Sequence, residues 1–330
     1  MDPTRFLDDL ESKPAMLRLL GDALDADEAF RWPDIPPEGR LVLTGMGSSW
    51  FAAQVGAQRL RRHGVTAVAE IASAEHSWPT RDDLTLVAIS ASGSSTETLD
   101  FVGRMHDAPR IVALTNTIDS PLTAVATHLV DMVAGVEVSG IACRSELHTI
   151  IALLALEQHL TGAPLDLARG CRLAADGIET LLESRQRWLD QAAERLAGPH
   201  GTWLLAPAER ISSALQGALM MREVPRRQAD ACETADWSHV DVYLTKTLDY
   251  RVLVFPGSRY DAEAARWLTE RGSTVVSVNA AGAPTFPSAS FEITYPTGDH
   301  RLASLLVETT VAELVAAELV ADRWATPSPL

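Results

Sequence analysis

Within Ile89–Leu99, "ISASGSSTETL", hydroxyls recur at Ser90, Ser92, Ser94, Ser95, Thr96 and Thr98 around a single Gly93. A plain turn needs only a Gly or an Asn, so this density of small donors calls for another reason. Gly93 allows a tight turn that brings the following backbone amides toward one point. Ser94 and Glu97 have capping-box spacing, which predicts a helix starting there. Capping explains Ser94 but leaves Ser90, Ser92 and Ser95 without a purpose. Free amides, hydroxyls and the positive end of a helix together make an anion site, and its natural guest is a phosphate. A second small polar loop, "TGMGSSWF" over 44–51, begins like a dinucleotide fingerprint but has Trp50 at the third glycine position. That ring is too bulky for the helix–strand packing the fingerprint needs. Neither loop is followed by a Walker lysine, which argues against nucleoside triphosphates. Two such loops suit a compact, hydroxyl-rich anion, and a sugar phosphate fits. Further along, Gln216, Met220 and Glu223 are spaced to share one helical face, with Pro225 ending that helix. A carboxylate at a helix C-terminus faces the negative dipole end. This should raise its proton affinity and suit it to general-base work.

These residues need elements to hold them. "RLVLTG", "VTAVAEIA", "LTLVAIS" and "RIVALTN" read as strands, with helices over "SWFAAQVGAQRLRRHG" and "TETLDFVGRMH" and a long apolar helix at "ELHTIIALLALEQHL". The pattern then restarts: strands "GTWLLAP", "YRVLVFPGS" and "STVVSVNA", with helices "ERISSALQGALMMREV", "DAEAARWLTER" and a final "RLASLLVETTVAELVAAELVADRW". Residues 4–24 look helical but broken near Pro14, and 165–196 look helical throughout. Ile89 and Phe255 stand 166 positions apart, and Thr115 and Asn279 stand 164 apart, which points to a duplicated α/β unit. The expected fold is α/β: two tandem parallel sheets flanked by helices, of the three-layer flavodoxin-like kind. Domain bounds are expected at 1–30 for a leader helix, 31–162 for the first repeat and 163–330 for the second. The copies differ at one loop, where the first has "SASGSS" and the second "PGSRYD". Phosphate is therefore expected in the first repeat only.

Composition narrows the partners. A chain of 330 residues with 46% hydrophobic content can bury two ordinary cores, and no apolar run approaches a membrane span. The acidic N-terminus lacks the layout of a signal peptide. Cys143, Cys171 and Cys232 are scattered and odd in number, which suggests a reducing cytoplasm with no disulfide frame. The net charge of −16 argues against nucleic acid and anionic membranes as partners. No metal or organic cofactor is expected.

"GMGSSWFAA", "EIASAE" and "ISASGSSTETL" resemble the sugar isomerase (SIS) domain family. The order of the two repeats is similar to that in the isomerase half of glucosamine-6-phosphate synthase, and "FLDDLESKPAML" resembles the leader helix before the first repeat. The resemblance does not extend to the glutaminase half, so ammonia from glutamine is not expected to enter the reaction. It implies that Ser48 and Ser49 hold sugar hydroxyls and that Ser90, Ala91, Ser92 and Ser95 hold the phosphate. The backbone at Ile141 and Ala142 would lie against the sugar. Glu223 corresponds to the base that moves a proton between C1 and C2. His239 corresponds to the ring-opening histidine, which in the family reaches a neighbouring subunit, so a homodimer is implied. The apolar helices at 149–160 and 307–321 offer a surface for it. Gln216 and Met220 depart from the synthase's glutamate and lysine, and the tail "RWATPSPL" lacks its lysine. Amination in the synthase manner is therefore not expected. An anion anchor and a base remain, which suit aldose–ketose isomerisation, amino-sugar phosphate deamination or cleavage of a sugar–amine adduct. A non-catalytic sugar-phosphate sensor and a remnant that binds nothing are the alternatives. Sensors in this family usually carry a DNA-binding helix-turn-helix, for which the acidic leader leaves no room, and a remnant would have little reason to keep the serine loop.

Overall fold

Two parallel five-stranded sheets organise the chain. The computed structural model describes residues 2–36, 38–297, 300 and 302–320. The first sheet is built from β1 (Arg40–Gly45), β2 (Thr66–Ile71), β3 (Leu84–Ile89), β4 (Arg110–Thr115) and β5 (His128–Asp131) in the order β2-β1-β3-β4-β5. The second uses β6 (Thr202–Ala206), β7 (Ala229–Glu233), β8 (Arg251–Val254), β9 (Thr274–Ala280) and β10 (Phe291–Tyr295) in the order β10-β9-β8-β6-β7. Matching β1 with β6, β3 with β8 and β4 with β9 makes the two orders identical. The central strands β1, β3, β4, β6 and β8 are nearly continuous apolar runs because parallel sheets are covered on both faces.

The helices of the first sheet's chain segment are α1 (Phe6–Asp25), α2 (Ser48–Arg62), α3 (Thr96–Arg104), α4 (Pro121–Val125) and α5 (Arg144–Thr161). Those that follow are α6 (Leu167–Ser184), α7 (Leu189–Leu196), α8 (Ile211–Glu223), α9 (Thr234–Trp237), α10 (Asp261–Glu270), α11 (Ala303–Val307) and α12 (Thr309–Glu318). The chain divides into two compact units that interleave in sequence: 19–137 with 142–169, and 1–18 with 138–141 and 170–330. Val42, Leu86, Phe101, Ile111 and Leu122 build one core cluster, while Trp203, Trp237, Tyr250, Val252 and Leu268 build another.

Several expectations change. Pro14 lies inside an unbroken α1, although an interior proline costs a helix about 3 kcal/mol. Fully buried Phe6, Leu10 and Leu17 and an ion pair between buried Lys13 and Glu313 hold the helix through it. The stretch 165–196 is two helices separated by a 3₁₀ turn at Arg185–Arg187. The final helix is interrupted at Glu308, and residues 321–330, with the whole of the tail noted above, lie outside the described residues. The apolar helices expected to face a partner are buried in the single chain: Ile151, Leu154 and Leu156 on α5, and Val311, Leu314 and Val315 on α12. The three cysteines are free and buried. No helix is long and apolar enough to cross a membrane.

Candidate functional site

The serine loop leaves the C-terminal end of β3, at the middle of the first sheet. Open α/β folds bind ligands at this edge of the sheet. Gly93 is required there. Its φ is +62°, and a Cβ would stand 2.1 Å from Ser120 Oγ, so any side chain is excluded. The amide of Gly93 closes a turn on the carbonyl of Ser90 at 3.0 Å, and the carbonyl of Ala91 accepts from the amide of Asn116. Among the described residues, the amides of Ala91, Ser92 and Ser95 donate to no acceptor. They form an open cradle at the start of α3.

The cap of α3 is Ser95, one residue later than the spacing predicted. Ser95 Oγ accepts from the amide of Thr98 at 3.3 Å and donates to Glu97 at 3.1 Å. Ser94 turns its hydroxyl to Ser92 Oγ at 2.9 Å instead. Ser92 and Ser94 are exposed and Ser90 is buried.

Ser48 and Ser49 open α2, directly after β1, the strand paired with β3. A Cβ placed on Gly45 would lie 2.7 Å from Ser49 Cβ and 2.8 Å from the carbonyl oxygen of Ile89. The fold therefore brings these two serines beside the root of the serine loop. Gly47, with φ 52° and ψ −127°, makes the turn between strand and helix, where a side chain would be strained.

The segment 138–145 carries Ile141 and Ala142 and is tied by two carboxylates. Asp9 accepts from the amides of Val138 at 2.9 Å and Ser139 at 2.8 Å. Glu137 accepts from the amides of Cys143, Arg144 and Ser145 and from Ser145 Oγ, at 2.7–3.1 Å. It thus caps α5 from outside the helix. Sequence reasoning missed both carboxylates: Glu137 stands six to eight residues ahead of its amides, which matches no short-range capping pattern, and Asp9 stands 129 and 130 residues ahead of its own. A charged residue so close to a proposed contact segment was the available signal.

Glu223 is the last residue of α8, and Gln216 and Met220 on the same helix are completely buried. Its carboxylate is half-buried and makes no hydrogen bond or ion pair among the described residues. Its pKa is raised from the ordinary 4.5, chiefly by burial, with the charge of Arg222 pulling the other way. Burial, more than the helix end invoked from sequence, is the cause. His239 follows α9, whose Trp237 is buried with its Nε1 donating to Tyr250 Oη at 2.7 Å. The histidine itself is exposed, flanked by exposed Val240, Tyr243 and Leu244. Serines 48, 49, 90, 92 and 95 and Ala91 lie in the unit of the first sheet. Glu223 and His239 lie in the unit of the second, and Ile141 and Ala142 fall on either side of the division.

The family model for the SIS domain matches residues 35–156. The matched stretch is similar to a SIS domain. It takes in all of the first sheet, the serine loop and Ser48–Ser49. Over 212 residues the chain is 27% identical to glutamine–fructose-6-phosphate aminotransferase (isomerizing) of Sulfolobus acidocaldarius, a match covering 64% of this chain. The chain spans about a third of that relative, the match taking in 35% of its length. Among solved structures, the C-terminal domain of glucosamine-fructose-6-phosphate aminotransferase from Francisella tularensis covers 96% of each chain with a TM-score of 0.82 at 17% identity. Glucosamine-6-phosphate deaminase from Thermotoga maritima covers 97% of this chain and 95% of its own, with a TM-score of 0.70 at 16% identity. The likeness to these structures is one of fold. It runs through both sheets, beyond the SIS domain match.

Proposed function

We propose that the chain is a phosphosugar enzyme that moves a proton between adjacent carbons of a sugar phosphate or amino-sugar phosphate. The observation that carries this reading is the open cradle of Ala91, Ser92 and Ser95 within the stretch similar to a SIS domain. Neutral donors at a helix start suit a phosphate dianion, and the net charge of −16 makes such a local site necessary. In this reading Ser90 and Ser92 add hydroxyls to the cradle. Ser95 exchanges its bond to Glu97 for one to the phosphate. Ser48, Ser49 and the backbone at Ile141 and Ala142 hold the sugar.

Glu223 is assigned the chemistry. In the open-chain substrate its carboxylate takes the proton from the carbon beside the carbonyl, which leaves an enediolate. Returning that proton to the neighbouring carbon, while the hydroxyl proton passes from one oxygen to the other, completes an aldose–ketose exchange with no net gain or loss of atoms. With an amino sugar the same step passes through an enolamine to an imine, which water hydrolyses to the keto sugar and ammonia. A half-buried carboxylate without a partner and with a raised pKa suits this work. His239 is assigned ring opening, and the exposed apolar residues around it support a homodimer in which it serves a neighbouring copy. The shared strand order supports tandem SIS repeats at 31–162 and 163–330 behind a leader at 1–30. A cytoplasmic enzyme without metal or organic cofactor completes the reading.

The test is a thermal-shift screen against hexose and hexosamine phosphates, followed by NMR of the stabilising compounds in D₂O. Deuterium entering at C1 or C2 is the expected result. Tight binding without exchange at any pH would make the protein a sugar-phosphate sensor instead. No stabilisation by any phosphosugar would overturn the reading altogether.

A further inference from the structure

The second sheet contains the counterpart of the serine-loop cradle, with an anion already in it. The loop after β8 reads "PGSRYD", and Asp261 stands 166 positions beyond Ser95, the same offset that relates Phe255 to Ile89. Gly257 and Ser258 therefore correspond to Ala91 and Ser92, whose amides are open. In the second sheet the first of those amides is taken. Asp261 Oδ2 accepts from the amide of Gly257 at 2.7 Å, and the backbone of Ser258 favours the ionised form of the same carboxylate.

A partly buried guanidinium completes the cradle. Arg210, in the turn between β6 and α8, donates through Nε to Glu308 at 2.9 Å and through Nη2 to the carbonyl of Pro256. A Cβ on Gly257 would stand 3.1 Å from Arg210 Nη1, so the guanidinium lies against the same loop. Arg210 and Asp261 also feel each other's charge, each favouring the other's ionised form. Asp261 Oδ1 is buried without a hydrogen-bond partner and lines a cavity of about 650 Å³ with Arg210, Ser258, Asn279 and Tyr295. An amide, a helix start and a guanidinium are the parts of a phosphate site. The chain supplies its own carboxylate in place of the phosphate.

We propose that Asp261 is a built-in anion that closes the second sheet's cradle and limits each chain to one phosphate. The limit to one rests on reading the serine loop as the phosphate site, but the closure itself rests on Asp261 and Arg210. A second, external dianion is excluded by like charge as well as by occupancy. Exchanging Asp261 for the serine found at the matching position of the first sheet frees the amide of Gly257 and removes the Asp261 charge, while Glu308 stays paired with Arg210. It also keeps a residue favoured at helix starts, so the fold should survive.

The experiment counts inorganic phosphate bound per chain, by equilibrium dialysis at constant ionic strength, for four full-length proteins. The expected counts are one for wild type, two for Asp261→Ser, none for Ser92→Asp, and one for the double variant. A count of two in wild type overturns the proposal, as does no gain in a folded Asp261→Ser. Asp261→Thr, another helix-start residue, is measured alongside, with a melting curve for each. If the serine variant does not fold, the threonine variant decides. If wild type binds none and Asp261→Ser binds one, the built-in anion stands and the phosphate role of the serine loop falls. If Ser92→Asp loses its phosphate and Asp261→Ser gains none, the serine-loop reading stands and the closure falls.

Discussion

The loops after β3 and β8 are built on matching strands at the middle of sheets with the same strand order, yet they offer ligands opposite faces. In the first, the amides of Ala91 and Ser92 are open, and serine hydroxyls surround them. In the second, the amide of Gly257 closes on the carboxylate of Asp261. Where the first loop has Ser95, the second has Asp261, and where the first has Gly93, the second has Arg259. The second unit holds Glu223, whose raised proton affinity comes from burial rather than from a charged partner. In the proposed reading the two halves divide anchoring and proton transfer between them.

The sharpest way to break that division is to silence each half alone. Glu223→Gln should leave phosphosugar binding nearly intact and cut deuterium exchange by about 10²–10⁴-fold, the usual contribution of a positioned acid–base group. Exchange at the wild-type rate would place the base elsewhere. Ser92→Asp works on the other half. A carboxylate about 4 Å from the phosphate costs about 1–4 kcal/mol between bulk-water and near-surface screening. Calorimetry should show a matching loss of affinity, and unchanged affinity would remove the anion from that loop. Glu137→Ala unties three amides and a hydroxyl at the start of α5. It should lower stability by about 1–3 kcal/mol in a urea titration and raise KM more than it lowers kcat. The reverse split would mean that the segment at Ile141 and Ala142 acts in the chemical step.

The smallest effects concern pH. Because burial raises the pKa of Glu223 above 4.5, the ionised carboxylate weighs against folding at neutral pH. Glu223→Gln should therefore melt higher than wild type at pH 7, and the difference should vanish as pH falls through the raised pKa. The rate should climb as pH rises through that same value, because the base must be ionised. Arg222→Gln removes the charge that opposes the shift, so the acid limb of the rate profile should move to higher pH. An unmoved limb would mean that the rate follows another group.

Much of this was legible in the residues. The central strands announced themselves as apolar runs: "RLVLTG" is β1 residue for residue, and "LTLVAIS" runs one residue past the end of β3. The edge strands β5, β7 and β10 went unread. They have four or five residues each, and at least half of each strand is not buried, so no clean hydrophobic period marks them. The serine loop was readable because its composition exceeds what a turn needs. The roles of Asp9 and Glu137 were not, since each ties amides brought near by the fold. Asp261 was visible as a changed letter in the second copy. That its carboxylate reaches back four residues to the amide of Gly257 required the folded loop.

The most direct measurement is a crystal structure of the wild-type protein with a bound hexosamine phosphate, or with sulfate standing in for its phosphate group. The account predicts tetrahedral density on the amides of Ala91 and Ser92, and Asp261 still on the amide of Gly257. Density against Gly257 and Ser258 with Asp261 displaced, or a serine loop bare at saturating ligand, would contradict it.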